Sequence, residues 1–217
     1  MKNPFDIYTQ NYDRWYDKNR YIFLSELKCI KKAIGRVNLK NKKAVEIGVG
    51  TGRFAEKLKI KYGIDILKNS LEMASKRGIK TFLCSSEKLP FKDFEFDYVF
   101  MIFSICFFKN LNLSIKEAKR ILKENGKIII AMINKESNLG KYYEKFKNKN
   151  IFYRNANFYT PKSIIKKLRN NGFYQIKTYQ TLCNINTPAD FKDIKKVETP
   201  INGYKKGSVV VIKGVKK

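Results

Sequence analysis

From residue 21 onward, short apolar runs alternate with segments whose apolar residues recur every three or four positions. This alternation predicts a mostly parallel sheet covered by helices on both faces, because parallel strands buried on two sides read as continuous apolar runs. Residues 21–36 carry Phe23, Leu27, Ile30 and Ile34, spaced 4, 3, 4, which is one helical face. Residues 44–47 read as a short buried strand that runs into a glycine cluster. A second strand is expected at 62–66, followed by a helix from Ser70, as N-cap, to Arg77, with Gly78 as its stop. Residues 81–84 and 97–103 read as the third and fourth strands. Ser114-Ile115-Lys116-Glu117 has the form of a capping box, with Ile115, Ala118 and Leu122 as the apolar face and Gly126 as the end.

Residues 127–133 give the fifth strand. The helix expected at 139–146 has no strand before Thr160-Pro161, where an N-cap with Pro at N1 opens the next helix. Residues 136–160, approximately, therefore read as an inserted cover. The last strands are 173–182 and 208–214. Val209, Val210, Val211 and Ile212 are apolar toward both faces, so residues 207–213 belong between existing strands and not at an edge.

No repeat, low-complexity stretch or Pro/Gly linker divides the 217 residues, and one domain over 1–217 is expected. The apolar stretch 98–108 is far shorter than the ~20 residues of a membrane span. The first residues are polar and lack a secretory h-region, which predicts a cytoplasmic protein without a membrane partner. Histidine is absent, which removes any imidazole base or imidazole metal ligand. Cys29, Cys84, Cys106 and Cys183 form no C-x-x-C pair, so free thiols and no metal site are expected. The net charge of +27 invites a nucleic-acid partner. Yet 38 Lys stand against 8 Arg, spread along the whole chain with 20 Asn. Arg is the residue suited to bidentate phosphate and base contacts. Compositional bias explains this charge better, and nucleic acid stays the less favoured partner.

Residues 44–54, Ala-Val-Glu-Ile-Gly-Val-Gly-Thr-Gly-Arg-Phe, describe a strand, a glycine turn and a helix start. Such a turn presents backbone N–H groups to a ligand that approaches the main chain closely. No Lys-Ser or Lys-Thr follows the glycines, as a P-loop requires. The third glycine of a G-x-G-x-x-G dinucleotide turn is replaced by Arg53. The pattern present is E-x-G-x-G-x-G.

With these residues in view, the chain resembles the class I S-adenosylmethionine-dependent methyltransferases of the small methyltransferase-11 type. Glu46 to Gly52 is similar to their first motif, and Gly63-Ile64-Asp65-Ile66 to their second strand. Ser86-Glu87-Lys88-Leu89-Pro90-Phe91, continuing to Phe96-Asp97-Tyr98-Val99, is similar to the next signature. Arg120 to Gly126 resembles the turn before strand five, with Lys127 in place of a second glycine. The resemblance covers about residues 12–132.

The resemblance implies an α/β, Rossmann-like sandwich with a seven-stranded, mostly parallel sheet in the order 3-2-1-4-5-7-6 and helices on both faces. It implies S-adenosyl-L-methionine as cofactor, S-adenosyl-L-homocysteine as product, and a site at Tyr12, Glu46, Gly48, Val49, Gly50, Gly52, Asp65, Ile66, Ser85, Ser86, Glu87 and Met101. Asp65 would hold the ribose hydroxyls. Its position, 19 residues after Glu46, puts a carboxylate at the next strand's carboxyl end, where it can accept two O–H groups or else cap a helix. Glu46 would lie near the methionyl end. Ser85 stands where the family often has an acidic adenine contact, so the adenine would rest on its hydroxyl or on backbone groups. No residue replaces the histidine often found near the Cys106 position, and no catalytic base is assigned. Tyr12-Asp13-Arg14-Trp15-Tyr16 is similar to the family's helical lid, here residues 1–36.

A small-molecule methyl acceptor is the expected substrate. An RNA or protein acceptor, or a non-catalytic cofactor-binding module, is the alternative. Strand four ends in Met101-Ile102-Phe103-Ser104, not in the [DN]-P-P-[FY] loop used on base amines.

Overall fold

A computed structural model describes residues 3–217. Three helices open the chain: α1 (Pro4–Ile7), α2 (Thr9–Lys18) and α3 (Arg20–Ile34). There follow β1 (Ala44–Ile47), α4 (Arg53–Leu58), β2 (Tyr62–Asp65), α5 (Lys68–Lys76), β3 (Lys80–Leu83) and β4 (Phe96–Ile102). The second half holds α6 (Leu111–Ile121), β5 (Leu122–Ile133), α7 (Asn138–Phe146), α8 (Pro161–Asn170), β6 (Phe173–Thr181), β7 (Ile201–Asn202) and β8 (Val209–Lys216).

The eight strands form one sheet in the order β3-β2-β1-β4-β5-β8-β6-β7. β1 to β5 run parallel, and β8 inserts antiparallel between β5 and β6, with Ile212 opposite Ile130 on one side and Thr178 on the other. This is the expected order with one addition, the two-residue edge strand β7 paired to β6. The last strand is fully interior because Val209 to Ile212 leave no apolar atom for an edge to expose.

Alternation within the strands divides the core. Tyr98 and Phe100 face α3 and α4, with Phe23, Leu27, Ile30 and Phe54. Val45, Ile47, Val99 and Met101 face α6 and α8, with Ile115, Ala118, Ile164 and Leu168. A third cluster joins Ile22 of α3 to Leu139 and Tyr143 of α7, to Ala156 and Phe158, and to Val209. It seats the segment after α7 over the carboxyl ends of the central strands.

Three expected helix boundaries are corrected. Ser70 does not cap α5; it is buried inside the helix, and the Asp65 carboxylate accepts the Leu67 N–H at 3.0 Å just ahead of it. Ser114 does not cap α6, because Asn110 accepts the Leu113 N–H at 3.1 Å and starts the helix earlier. Glu117 is engaged elsewhere: it accepts the Leu89 N–H at 2.8 Å and pairs with Arg120 at 2.7 Å. Gly126 does not end α6, since the chain turns extended at Leu122 and Leu122 already pairs with Phe96. Thr160 caps α8 as expected, accepting the Ser163 N–H at 3.1 Å.

Candidate functional site

Parallel strands open their carboxyl ends where the order reverses, and here that point lies between β1 and β4. The glycine turn after β1 folds back so that Gly48 N–H and Val49 N–H both donate to the Ile64 carbonyl at 2.9 Å. Gly48 has φ +75°, and a Cβ there would lie 2.4 Å from Ser104 Cβ. Only glycine permits both the left-handed turn and this approach. Ser104, at the end of β4, donates to the Ile47 carbonyl at 2.8 Å and locks the two loops together.

Asp65 ends β2 with both oxygens committed to backbone. Oδ2 accepts the Gly50 N–H at 2.9 Å and Oδ1 accepts the Leu67 N–H at 3.0 Å. Burial raises its pKa, and these donors oppose the rise. Glu46 on β1 is 2% exposed, and its Oε2 has no partner among the described residues. Burial, and then the nearby Asp65 charge, hold its carboxyl well above the ordinary range. An orphaned buried carboxyl is costly unless a ligand satisfies it.

Around these groups lies a cavity of about 610 Å³, within the range of roughly 300–1,000 Å³ usual for cofactor sites. Of the expected residues, Tyr12, Glu46, Gly48, Val49, Gly50, Asp65, Ile66, Ser85, Ser86 and Glu87 line it. Gly52 and Met101 do not. Gly52, with φ +82°, is a packing glycine, since a Cβ would lie 2.5 Å from Ile79 and 3.0 Å from the Ala74 Cβ. Met101 points into the α6–α8 core with no exposed surface. The strand alternation that places Phe100 on the α3 side also places Ile102 there, so Ile102 lines the cavity instead.

At the far end, the Ser85 hydroxyl donates to Glu87 Oε2, and Glu87 Oε1 accepts the Asn110 N–H at 3.1 Å. The Ser86 hydroxyl bonds the buried Ser114 hydroxyl of α6 at 2.8 Å. Phe103 also lines the cavity, with φ +52°, a conformation that strains a bulky residue. Its N–H donates to the Ala131 carbonyl at 2.8 Å and its ring packs 5.6 Å from that of Phe54.

The N-terminal helices are tied to the glycine turn by charge. Asp13 of α2, 5% exposed, accepts Thr51 Oγ1 at 2.6 Å, Arg53 Nε at 2.9 Å and Arg77 Nη2 at 2.9 Å. Asp17, one turn later, accepts Arg53 Nη1 at 2.7 Å. Burial would raise the Asp13 carboxyl, but Arg53, Arg77 and Thr51 together bring it down to about 2. Arg53, at the position that excludes a dinucleotide turn, thus fastens α2 to the glycine turn. Sequence spacing gave no signal for this clamp, whose partners stand 38 to 64 residues apart.

With Asp13 and Asp17 turned to the clamp, Tyr12 and Tyr16 face the cavity. Phe5 stacks its edge against Tyr12 and Phe107 at 5.0 Å and lies 4.9 Å from Phe152 of the cover. The cover is anchored where Asn157 N–H donates to the Cys106 carbonyl at 2.8 Å. Trp15 does not reach the cavity; it packs 5.5 Å from Phe191.

Among the described residues there is no cluster of potential metal ligands, and no helix is long and apolar enough to cross a membrane. Residues 45–130 match the family described as "Methyltransferase domain". A crystal structure from Thermotoga maritima, described as an S-adenosylmethionine-dependent methyltransferase and possible histamine N-methyltransferase, is 38% identical and superposes with a TM-score of 0.89 over 98% of both chains. An uncharacterized protein of Methanocaldococcus jannaschii is 43% identical over 99% of both chains. A ubiquinone/menaquinone biosynthesis C-methyltransferase of Rickettsia bellii is 37% identical over 86 residues, 39% of this chain and 34% of its own.

Proposed function

Since this chain belongs to the class I S-adenosylmethionine-dependent methyltransferases, we propose that it methylates a small molecule enclosed beneath the N-terminal helices and the cover. One observation carries the reading: a single cavity runs from Asp65, past the unpartnered Glu46, to a wall of aromatic rings. Asp65 keeps lone pairs free for the two ribose hydroxyls while the Gly50 and Leu67 amides hold its plane. Glu46 would hold the methionyl ammonium, which would give its buried oxygen the partner it lacks. Gly48, Val49 and Gly50 offer close backbone approach, and Ser85 with Glu87 borders the adenine. S-adenosylmethionine, when bound, supplies a methyl group already activated on a sulfonium.

The protein's own work is alignment and exclusion of water. Tyr12 and Tyr16 line the cavity with electron-rich rings, which suit a cationic sulfur. Burial pushes the Tyr12 phenol up to about 12 and raises that of Tyr16 well above its ordinary value, so both stay protonated at neutral pH with a wide margin. Residues 3–36 act as lid, the first two residues of the expected 1–36 lying outside those described, and residues 136–160 as cover of one catalytic domain. The enclosure by Phe5, Phe107 and Phe152 favours a small acceptor over a polymer, and the description of the Thermotoga relative points the same way.

Calorimetry with S-adenosylmethionine tests the cofactor half. Binding that drops roughly ten- to hundredfold in Asp65→Ala supports it. Equal affinity in the variant returns Asp65 to a purely capping role.

A further inference from the structure

The two ends of the cavity differ in what they can do with a proton. All three carboxyls that line it stand at the cofactor end: Glu46 on β1, Asp65 with both oxygens on backbone amides, and Glu87 between Ser85 and Asn110. The other end is walled by the rings of Phe5, Tyr12, Tyr16, Phe103, Phe107 and Phe108. The chain has no histidine, and the two phenols hold their protons at neutral pH. Glu26 of α3 is 7% exposed and its Oε2 has no partner among the described residues, but it does not line the cavity. A molecule held among the rings therefore meets no side chain able to take a proton from it. An aliphatic ammonium or an alcohol must be deprotonated in order to react, and this wall offers no base for that. The acceptor atom has to arrive with its lone pair already free.

Charge narrows the choice further. Two cations line the cavity, and Arg53 is bound to Asp13 and Asp17. That leaves Lys109, exposed next to Phe108, which forms no ion pair among the described residues. This sign admits an anion. Moving a methyl group from a sulfonium to an anion turns two charges into two neutral products, and an aromatic enclosure, which solvates ions poorly, favours that conversion. Among common anionic nucleophiles, a carboxylate is strongly hydrated and costly to bring between rings. A phenol ionises only near pH ~10 and is almost wholly neutral at pH 7. A thiol ionises lower, at ~8.5 for an alkyl thiol and lower still when an aromatic ring shares the charge. Its thiolate is the strongest nucleophile of the three, and sulfur makes favourable contacts with ring edges. The walls also suit a flat partner. Phe5 meets Tyr12 at 82° and Phe107 at 72°, each with centroids 5.0 Å apart, an edge-to-face frame to which a further ring can add.

We propose that the methyl acceptor is a small arene thiol, taken as its thiolate and enclosed by the Phe5, Tyr12, Tyr16, Phe103 and Phe107 rings. This names the substrate class of the methyltransferase reading above and rests on it. The thiol gives its proton to solvent before it enters. The thiolate sulfur then donates an electron pair to form the S–CH3 bond, while the CH3–S bond of the sulfonium breaks onto its own sulfur. A neutral aryl methyl thioether and S-adenosylhomocysteine leave, and no proton moves within the site.

The test uses the full wild-type chain with labelled S-adenosylmethionine. At pH 7, methylation of benzenethiol is compared with that of phenol and benzylamine. The expected result is a preference for the thiol of roughly hundredfold or more, following the ionised fractions. The pH dependence of kcat/KM is then measured for 4-nitrobenzenethiol, benzenethiol and phenylmethanethiol. Its rising limb should move with the ionisation of each thiol, because the substrate and not the protein titrates. Methylation of phenol or benzylamine as fast as benzenethiol overturns the proposal. So does a rising limb fixed at one pH for all three thiols, which would report a base in the protein. Calorimetry with S-adenosylmethionine on the same preparation separates the failures. Cofactor that binds without methylation of any thiol overturns this proposal alone, whereas absence of cofactor binding overturns the methyltransferase reading.

Discussion

The cavity has two ends built on different principles. At the glycine turn, polar groups come from three short segments at strand ends, and nearly all are answered: Asp65 by two amides, Glu87 by Asn110 and Ser85, Ser104 by Ile47. At the aromatic end, rings arrive from α1, α2, the loop after β4 and the cover. The first end is a prepared backbone cradle, rigid because its hydrogen bonds close on themselves. The second is a cage of side chains, whose shape depends on how the lid and cover are held. A Rossmann-like sheet can keep the first constant while exchange of rings in the second changes the substrate.

Breaking the clamp that joins the two ends should have the largest effect. Asp13→Ala leaves Arg53 and Arg77 without their shared buried acceptor and should cost about 3–5 kcal/mol, read as a lower denaturant midpoint. A loss below about 1 kcal/mol would show that the lid is held by packing alone. The same clamp predicts acid sensitivity. The Asp13 carboxyl drops from an ordinary 3.8 to about 2 on folding. Its stabilising contribution is therefore present above pH ~4 and lost as pH falls through about 2, worth about 2 kcal/mol.

Glu26 should behave in the opposite sense. Its carboxyl rises from 4.5 to about 8 on folding, so the native state holds a proton that the unfolded chain releases, and stability falls as pH rises between those values. Glu26→Gln should accordingly be more stable than the wild type at pH 9, by on the order of 5 kcal/mol, with little difference at pH 4. Equal melting at both values would mean that Glu26 is solvated. Ser85→Ala should be the mildest change, because the hydroxyl is already donated to Glu87. Less than about 1 kcal/mol of cofactor affinity is expected, and a tenfold loss would assign the hydroxyl itself to the adenine.

The two ends also differ in how far they could be read from the sequence. That Glu46, the glycine turn and Asp65 meet around one cavity was legible because their placement is local: spacing along one strand–turn–helix unit brings them together. The interior place of the last strand followed from Val209 to Ile212 being apolar on both faces, whereas the full strand order came from the family resemblance. Met101 was misplaced by one residue, which in a strand means the opposite face, and Ile102 holds the position. Gly52 was read as a ligand-facing glycine although its missing side chain makes room for Ile79 and Ala74. Arg53 and Asp13 meet across 40 residues, and no periodicity reports such a pair. Glu26 was hidden because α3 was read with one buried face, at 23, 27, 30 and 34, whereas it has two.

Methyl transfer from labelled S-adenosylmethionine, offered at about 150 mM salt to a small-metabolite fraction and to total RNA, tests the enclosed-acceptor reading most directly. A surface of +27 charge binds RNA nonspecifically at ~10⁻⁴–10⁻⁶ M, so only transferred label decides. Label confined to low-mass material, and diminished in Asp65→Ala, is the predicted result. Saturable labelling of one RNA species, with none in the small-molecule fraction, would contradict it.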